Sequence, residues 1–141
     1  MNKAFACLLL TVGLVACHAP QSRETFLPGD GPYIFPVALT DSSAAYDLSL
    51  FTRVDGRKAP GELQLQMDWT APDGTPWTET VFLPLKGSGV FSREACTPYR
   101  SHLVPDQLGM WTLIVTPVQA PKGLRGMGLI VKSQPLWVTE N

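Results

Sequence analysis

Long hydrophobic runs are nearly missing from this 141-residue chain. The one apolar stretch, Ala4 to Val15, is interrupted only by Thr11 and Gly13 and is too short to span a bilayer as a stable helix. Runs of Lys or Arg are missing too, and 11 basic against 12 acidic side chains leave a net charge of −1. That balance argues against a nucleic-acid partner and against a polybasic membrane patch. With 2 His and 3 Cys the chain has no zinc-ligand spacing, and its scattered acids form no Asp-x-Asp-x-Asp calcium loop. No metal and no cofactor is therefore expected. The glycine-rich stretches Lys86-Gly87-Ser88-Gly89 and Gly123 to Gly128 lack the strand-to-helix setting of a phosphate loop and read as turns or bulges. Long helices are excluded by 13 prolines spread along the chain.

What the chain does have begins at its N-terminus. Met1-Asn2-Lys3 is a short positive start, the apolar stretch follows, and Leu14-Val15-Ala16-Cys17 closes it. A small residue directly before Cys is the lipobox pattern of a bacterial lipoprotein. Cleavage before Cys17 would leave a thiol and an amine to be acylated. Each buried methylene then contributes about 0.8 kcal/mol, so several acyl chains hold a protein on a membrane almost permanently. The bilayer, through acylated Cys17, is the first expected partner. Residues 1–16 read as signal peptide, residues 17–30 as acylated Cys and flexible tether, and residues 31–141 as one folded domain. Cys7 leaves with the signal and Cys17 is acylated, so Cys96 has no disulfide partner and is expected to be a small buried apolar residue.

The domain has the period of strands. Glu62 to Thr70 alternates without a break and puts Leu63, Leu65, Met67 and Trp69 on one face, which only a β-strand does. Ala45 to Val54 alternates as well, with Tyr46, Leu48, Leu50, Thr52 and Val54 on the core side and Phe51 among the outward residues. Tyr33 to Leu39, Trp77 to Leu85, Met110 to Val118 and Met127 to Val138 complete the candidates. Asp55-Gly56 and Asp73-Gly74 fall between strands as turns, the second in a hairpin loop over 71–76. Pro36, Pro84, Pro117 and Pro135 mark edges, bulges or broken strands. Residues 92–107 are the least regular and read as a long loop with a short helical turn. The expected fold is all-β, a single antiparallel β-sandwich, immunoglobulin-like or jelly-roll-like.

Three blocks of this chain carry a likeness. The first is Tyr33-Ile34-Phe35, Ala38-Leu39-Thr40-Asp41, Ala45-Tyr46-Asp47-Leu48 and Arg53. The second is the alternating strand 62–69 with Pro72-Asp73-Gly74 and the Thr-rich strand after it. The third is Gly109 to Val115 followed by Leu124-Arg125-Gly126-Met127-Gly128-Leu129-Ile130-Val131-Lys132. In order and spacing they resemble the gliding-motility lipoprotein family GldH. The chain departs from that pattern at Asp55 to Pro60 and at Gln119 to Lys122. The resemblance implies a lipid-anchored, non-enzymatic outer-membrane protein with envelope partners in the gliding and type IX secretion machinery. No acidic residue stands between Cys17 and Glu24, whereas surface export of such lipoproteins favours acids just after the Cys, so a periplasm-facing domain is expected.

Catalytic residues are not expected. Cys96 and His102 are the one pair suggestive of nucleophilic chemistry, and a thiol enzyme also needs a lowered thiol pKa and an orienting third group. Trp69, Trp77 and Trp111 sit in strand candidates, where the core is the default, whereas Phe51, Phe82 and Trp137 can share an exposed face. An alternative function, a surface glycan-binding accessory lipoprotein, needs an exposed aromatic platform, for which Trp77, Phe82 and Trp137 are the candidates for partner or glycan contact.

Overall fold

A strand with one apolar face must bury that face against another layer, and the alternation of 62–70 does so here. The computed structural model describes residues 21–55, 61–85, 93–120 and 122–136. Among them are eight strands: β1 (Gln21–Pro28), β2 (Tyr33–Leu39), β3 (Ala44–Val54), β4 (Glu62–Thr70), β5 (Pro76–Pro84), β6 (Arg93–Leu103), β7 (Gly109–Pro117) and β8 (Leu124–Pro135). They form two four-stranded antiparallel sheets, one in the order β1-β8-β3-β6 and the other β2-β7-β4-β5. The inner faces share one core, with Leu48, Leu50, Met127 and Leu129 from the first sheet against Phe35, Leu65, Met67 and Leu113 from the second.

The pairing is that of a folded hairpin. β4 pairs with β5, β3 with β6, β2 with β7 and β1 with β8, so the chain runs out and back along itself. The doubled ribbon then wraps, which brings β8 beside β3 and β7 beside β4. Consecutive strands of each arm thereby alternate between sheets. This strand order defines a jelly roll and separates it from the immunoglobulin layout. The closing hairpin has the expected turn: Gly74 N–H donates to the Ala71 carbonyl at 2.9 Å, and Ala71 N–H to that of Thr75 at 2.9 Å.

The expected strand faces are observed in β3 and β4, and three expectations need correction. The flexible tether does not extend to residue 30, because Gln21 to Pro28 pairs along its whole length with β8. Its polar side chains hid it, since an edge strand is held by backbone hydrogen bonds and needs little apolar surface. Residues 93–103 are a strand and not an irregular loop with a helical turn. Two register shifts opposite Leu48 and a left-handed His102 (φ 53°) break the alternation that would have revealed it. Cys96, expected in the core, is exposed on this edge strand.

Phe51 points outward, as its position in the alternation requires, yet it is buried. Gly126 and Gly128 leave a bald furrow on β8, and Phe51 and Phe26 stack over it with ring centroids 6.0 Å apart. A Cβ on Gly128 would lie 2.0 Å from the Phe51 ring, so only glycine permits this cover. The Arg53 guanidinium lies 4.4 Å from the Phe26 centroid and completes the lid. The prolines fall where a missing N–H does least harm: Pro36 in edge strand β2, and Pro84, Pro117 and Pro135 as the last residues of β5, β7 and β8.

Candidate functional site

Jelly-roll wrapping gathers loops at the two ends of the sandwich. One end carries the loops 40–43, 71–75 and 104–108, together with the start of β1 and the end of β8. Here three inward positions are aromatic, beside the aliphatic Leu39 and Leu103: Trp69 near the end of β4, Trp77 near the start of β5 and Trp111 near the start of β7. Rings of this size do not close the tapering gap between the sheets. They leave a half-open pocket of about 460 Å³, walled by the three tryptophans and the segment from Leu103 to Gln107. Gly109, at φ +144°, starts β7 with a Cβ position only 3.0 Å from Pro72, and so lets the loop 71–75 close against this strand.

A polar chain fixes the rings. Trp69 Nε1–H donates to the Tyr99 hydroxyl at 2.9 Å, and that hydroxyl donates to the Glu79 carboxylate. Arg100 Nη2 donates to both Glu79 oxygens at 2.6 Å. The same guanidinium lies 4.6 Å from the Tyr99 centroid and 5.5 Å from that of Trp77. Trp69 lies near-parallel to Tyr99 at 6.4 Å and edge-on to Trp111 at 6.1 Å. Trp111 Nε1–H donates to the Gln107 carbonyl at 3.0 Å. Glu79 belongs to β5 of one sheet and Tyr99 and Arg100 to β6 of the other, so this cluster clamps two edge strands. Burial, together with the hydrogen bond to Glu79, pushes the Tyr99 hydroxyl well above its ordinary pKa.

The opposite pair of edges is β1 and β2. A polar-rimmed groove of about 880 Å³ opens between them near the same loop end, with Gln21, Arg23 and Asp41 on its rim and Tyr46, Val37 and Leu129 deeper. The polar inward residues of β1 thus face a wet cleft instead of the core.

Chemically, the lining of the aromatic pocket is mostly apolar. Asp106 is the carboxylate on its wall, and Arg100, which also lines it, is held from behind by Glu79. Cys96 and His102, six residues apart on one strand, stand roughly 20 Å from each other at the usual strand rise and form no dyad. His102 N–H is held by Asp47 at 2.8 Å. Among the described residues no group of three His, Cys, Asp or Glu could hold a metal ion.

The sequence-derived contact residues separate. Trp77 and Phe82 are both about half exposed, yet an odd spacing along β5 puts them on opposite faces. They do not make one flat platform. Trp69 is in the core as expected, Trp111 is partly buried, and Phe51 is covered. Trp137 and Cys17 lie outside the described residues. Glu79, Tyr99 and Arg100 escaped sequence reasoning, two of them because they belong to the strand that the broken alternation concealed. Paired aromatics flanking the loops 71–75 and 104–108 were the available signal.

Comparison with known proteins adds little to this geometry. No protein-family model matches the chain, and no curated protein sequence does. Among solved structures, a chain from the structure of infectious bursal disease virus, Gx strain, is similar at 11% identity and a TM-score of 0.41, over 86% of this chain and 33% of that one. A chain of the Gt strain is similar at 12% identity and a TM-score of 0.35, over 84% of this chain and 34% of that one. The present chain spans about a third of those viral chains. Likenesses this distant carry no functional argument, and the jelly-roll assignment rests on the strand order.

Proposed function

We propose that the protein is a lipid-anchored, non-enzymatic binding module of the bacterial outer membrane, serving an envelope assembly of the gliding-motility and type IX secretion kind that its resemblance to the GldH family implies. The observation that carries this reading is the lipobox Leu14-Val15-Ala16-Cys17, followed after only three residues by a strand of the folded domain. Confinement to a surface raises a domain's effective concentration for membrane partners without any new contact. The free edges of β1 and β2 and the aromatic pocket are the surfaces available for such contacts. The domain faces the periplasm in this reading.

The test is palmitate labelling and membrane fractionation of the full chain, followed by a crosslinked pull-down from membranes. Label in the wild type, loss of label and release from membranes in Cys17→Ala, and capture of motility or secretion components are expected. Unchanged labelling in Cys17→Ala overturns the anchor. Capture of a polysaccharide-uptake complex overturns the assembly assigned here. Protease treatment of intact cells that removes the domain overturns the periplasmic face.

A further inference from the structure

The start of β1, which follows Cys17 closely in sequence, and the aromatic pocket lie at the same end of the molecule. Four Cα steps separate Cys17 from Gln21, and a chain reaches at most about 3.6 Å per residue, so the start of β1 is held within roughly 14 Å of the Cα of the acylated Cys17. Gln21 pairs with Ser133, Ser133 with Tyr46, and Tyr46 with Leu103, a row across the first sheet at the end that bears the loops 40–43 and 104–108. In the second sheet, Leu39 opposite Gly109 and Thr70 opposite Pro76 mark the same end. A domain tethered this tightly cannot turn that end far from the bilayer.

Exposed apolar side chains are concentrated there. Trp77, Val104, Leu108, Met110 and Leu136 are each between 38% and 54% exposed, and all five lie on the loops or strand ends of this end. Among the described residues, the three other large exposed apolar side chains, Ile34, Phe82 and Val118, lie toward the opposite end, on or just beyond strands of the second sheet. A half-exposed tryptophan beside aliphatic loop tips is the composition of a headgroup-level contact. Charge limits its depth. Asp41, Asp73 and Asp106 occupy the three loops. Asp41 Oδ1 accepts hydrogen bonds from Ser43 N–H and Oγ–H at 2.8 and 2.6 Å, and Asp73 Oδ1 accepts one from Thr75 N–H at 2.9 Å. The bond from Thr75 holds the Asp73 carboxyl below its ordinary pKa, and a charged, hydrogen-bonded loop tip of this kind does not enter hydrocarbon.

We infer that this end of the jelly roll rests directly on the lipid bilayer, with Trp77, Val104, Leu108 and Met110 at headgroup level and the aromatic pocket opening onto the membrane. The inference builds on the acylation of Cys17 proposed above. Apolar contact, and not attraction to anionic lipid, holds the domain down, because the loops are acidic. The domain therefore lies against the membrane instead of hanging from it.

The full acylated chain in phosphatidylcholine vesicles tests this, read by quenching of tryptophan emission with lipids brominated near the headgroup or deep in the acyl chain. Shallow bromines should quench strongly and deep ones weakly. Val104→Asp with Leu108→Asp, and separately Trp77→Phe, should reduce the shallow quenching by at least about half while the protein still sediments with the vesicles. Replacing half the lipid by phosphatidylglycerol should reduce it too. Sedimentation with vesicles but no quenching in the wild type overturns the inference while leaving the anchor intact, as does quenching that none of the substitutions changes. A chain that is unlabelled by palmitate and stays in the supernatant overturns the anchor, and this orientation with it. Both substitution sets change exposed side chains, and a urea midpoint close to the wild type checks that each variant is folded.

Discussion

The two ends of the sandwich solve the same closure problem with different side chains. Away from the loops 71–75 and 104–108, the inward positions are Leu63, Leu83, Leu85, Val54 and Leu124, all buried. Branched aliphatic side chains interdigitate and seal the gap between sheets. At the loop end, Trp69, Trp77 and Trp111 occupy the equivalent positions, and a pocket remains. Flat rings that must also satisfy N–H groups cannot interdigitate in the same way, so Trp69 and Trp111 are tied to Tyr99 and Gln107 instead. One end is sealed by interdigitated aliphatic side chains and the other is left half-open.

Substitutions should separate the two. The largest effect is expected for Leu63→Ala, which empties a site 2% exposed at the sealed end and should cost about 2–5 kcal/mol in urea unfolding. Gly128→Ala drives a methyl into the Phe51 ring on the outer face and should cost about 1–3 kcal/mol. Trp77→Ala, at the open end, should change stability by less than about 1 kcal/mol, since half the ring is already in water and its contact with Arg100 is exposed. Equal losses for Leu63→Ala and Trp77→Ala would erase the distinction between the ends.

Alkali probes both ends at once, with an effect set by direction. The Tyr33 hydroxyl donates to the Gly29 carbonyl at 2.5 Å, and burial pushes its pKa from the ordinary 10.0 up to about 12. A folded pKa above the unfolded one means that the folded state holds the proton more tightly. The resulting stabilisation is complete below pH 10 and lost as pH rises toward 12. Tyr99 shifts in the same direction at the open end. Urea midpoints of wild type should therefore fall above pH 10, less steeply in Tyr33→Phe, with the remaining slope due to Tyr99. An unchanged slope in Tyr33→Phe would show that its proton does not contribute.

Legibility followed local period. β4 reads directly from Leu63, Leu65, Met67 and Trp69, because a period of two is a property of consecutive residues. β6 does not, since two register shifts and His102 interrupt its pattern. β1 escapes because Gln21, Ser22, Arg23 and Glu24 carry no apolar signal, although their backbone pairs fully with β8. The aromatic cluster was half legible. Trp69 and Trp111 were placed in strands, but their partners Tyr99, Arg100 and Glu79 come from strands whose neighbours the alternation does not name.

The sequence by itself determined the all-β class, the hairpin at Asp73-Gly74 and the inward faces of β3 and β4. Each depends on residues a few positions apart. Only the tertiary structure decided the jelly-roll order, the cover of Phe51 over Gly128, the exposure of Cys96 and the meeting of the start of β1 with the end that bears the aromatic pocket. Those features join residues such as Trp69 and Tyr99, whose side chains touch across a sequence gap of 30. Side-chain period states which way each strand faces but not which strand lies beside it, and the wrapping of the doubled ribbon supplies that.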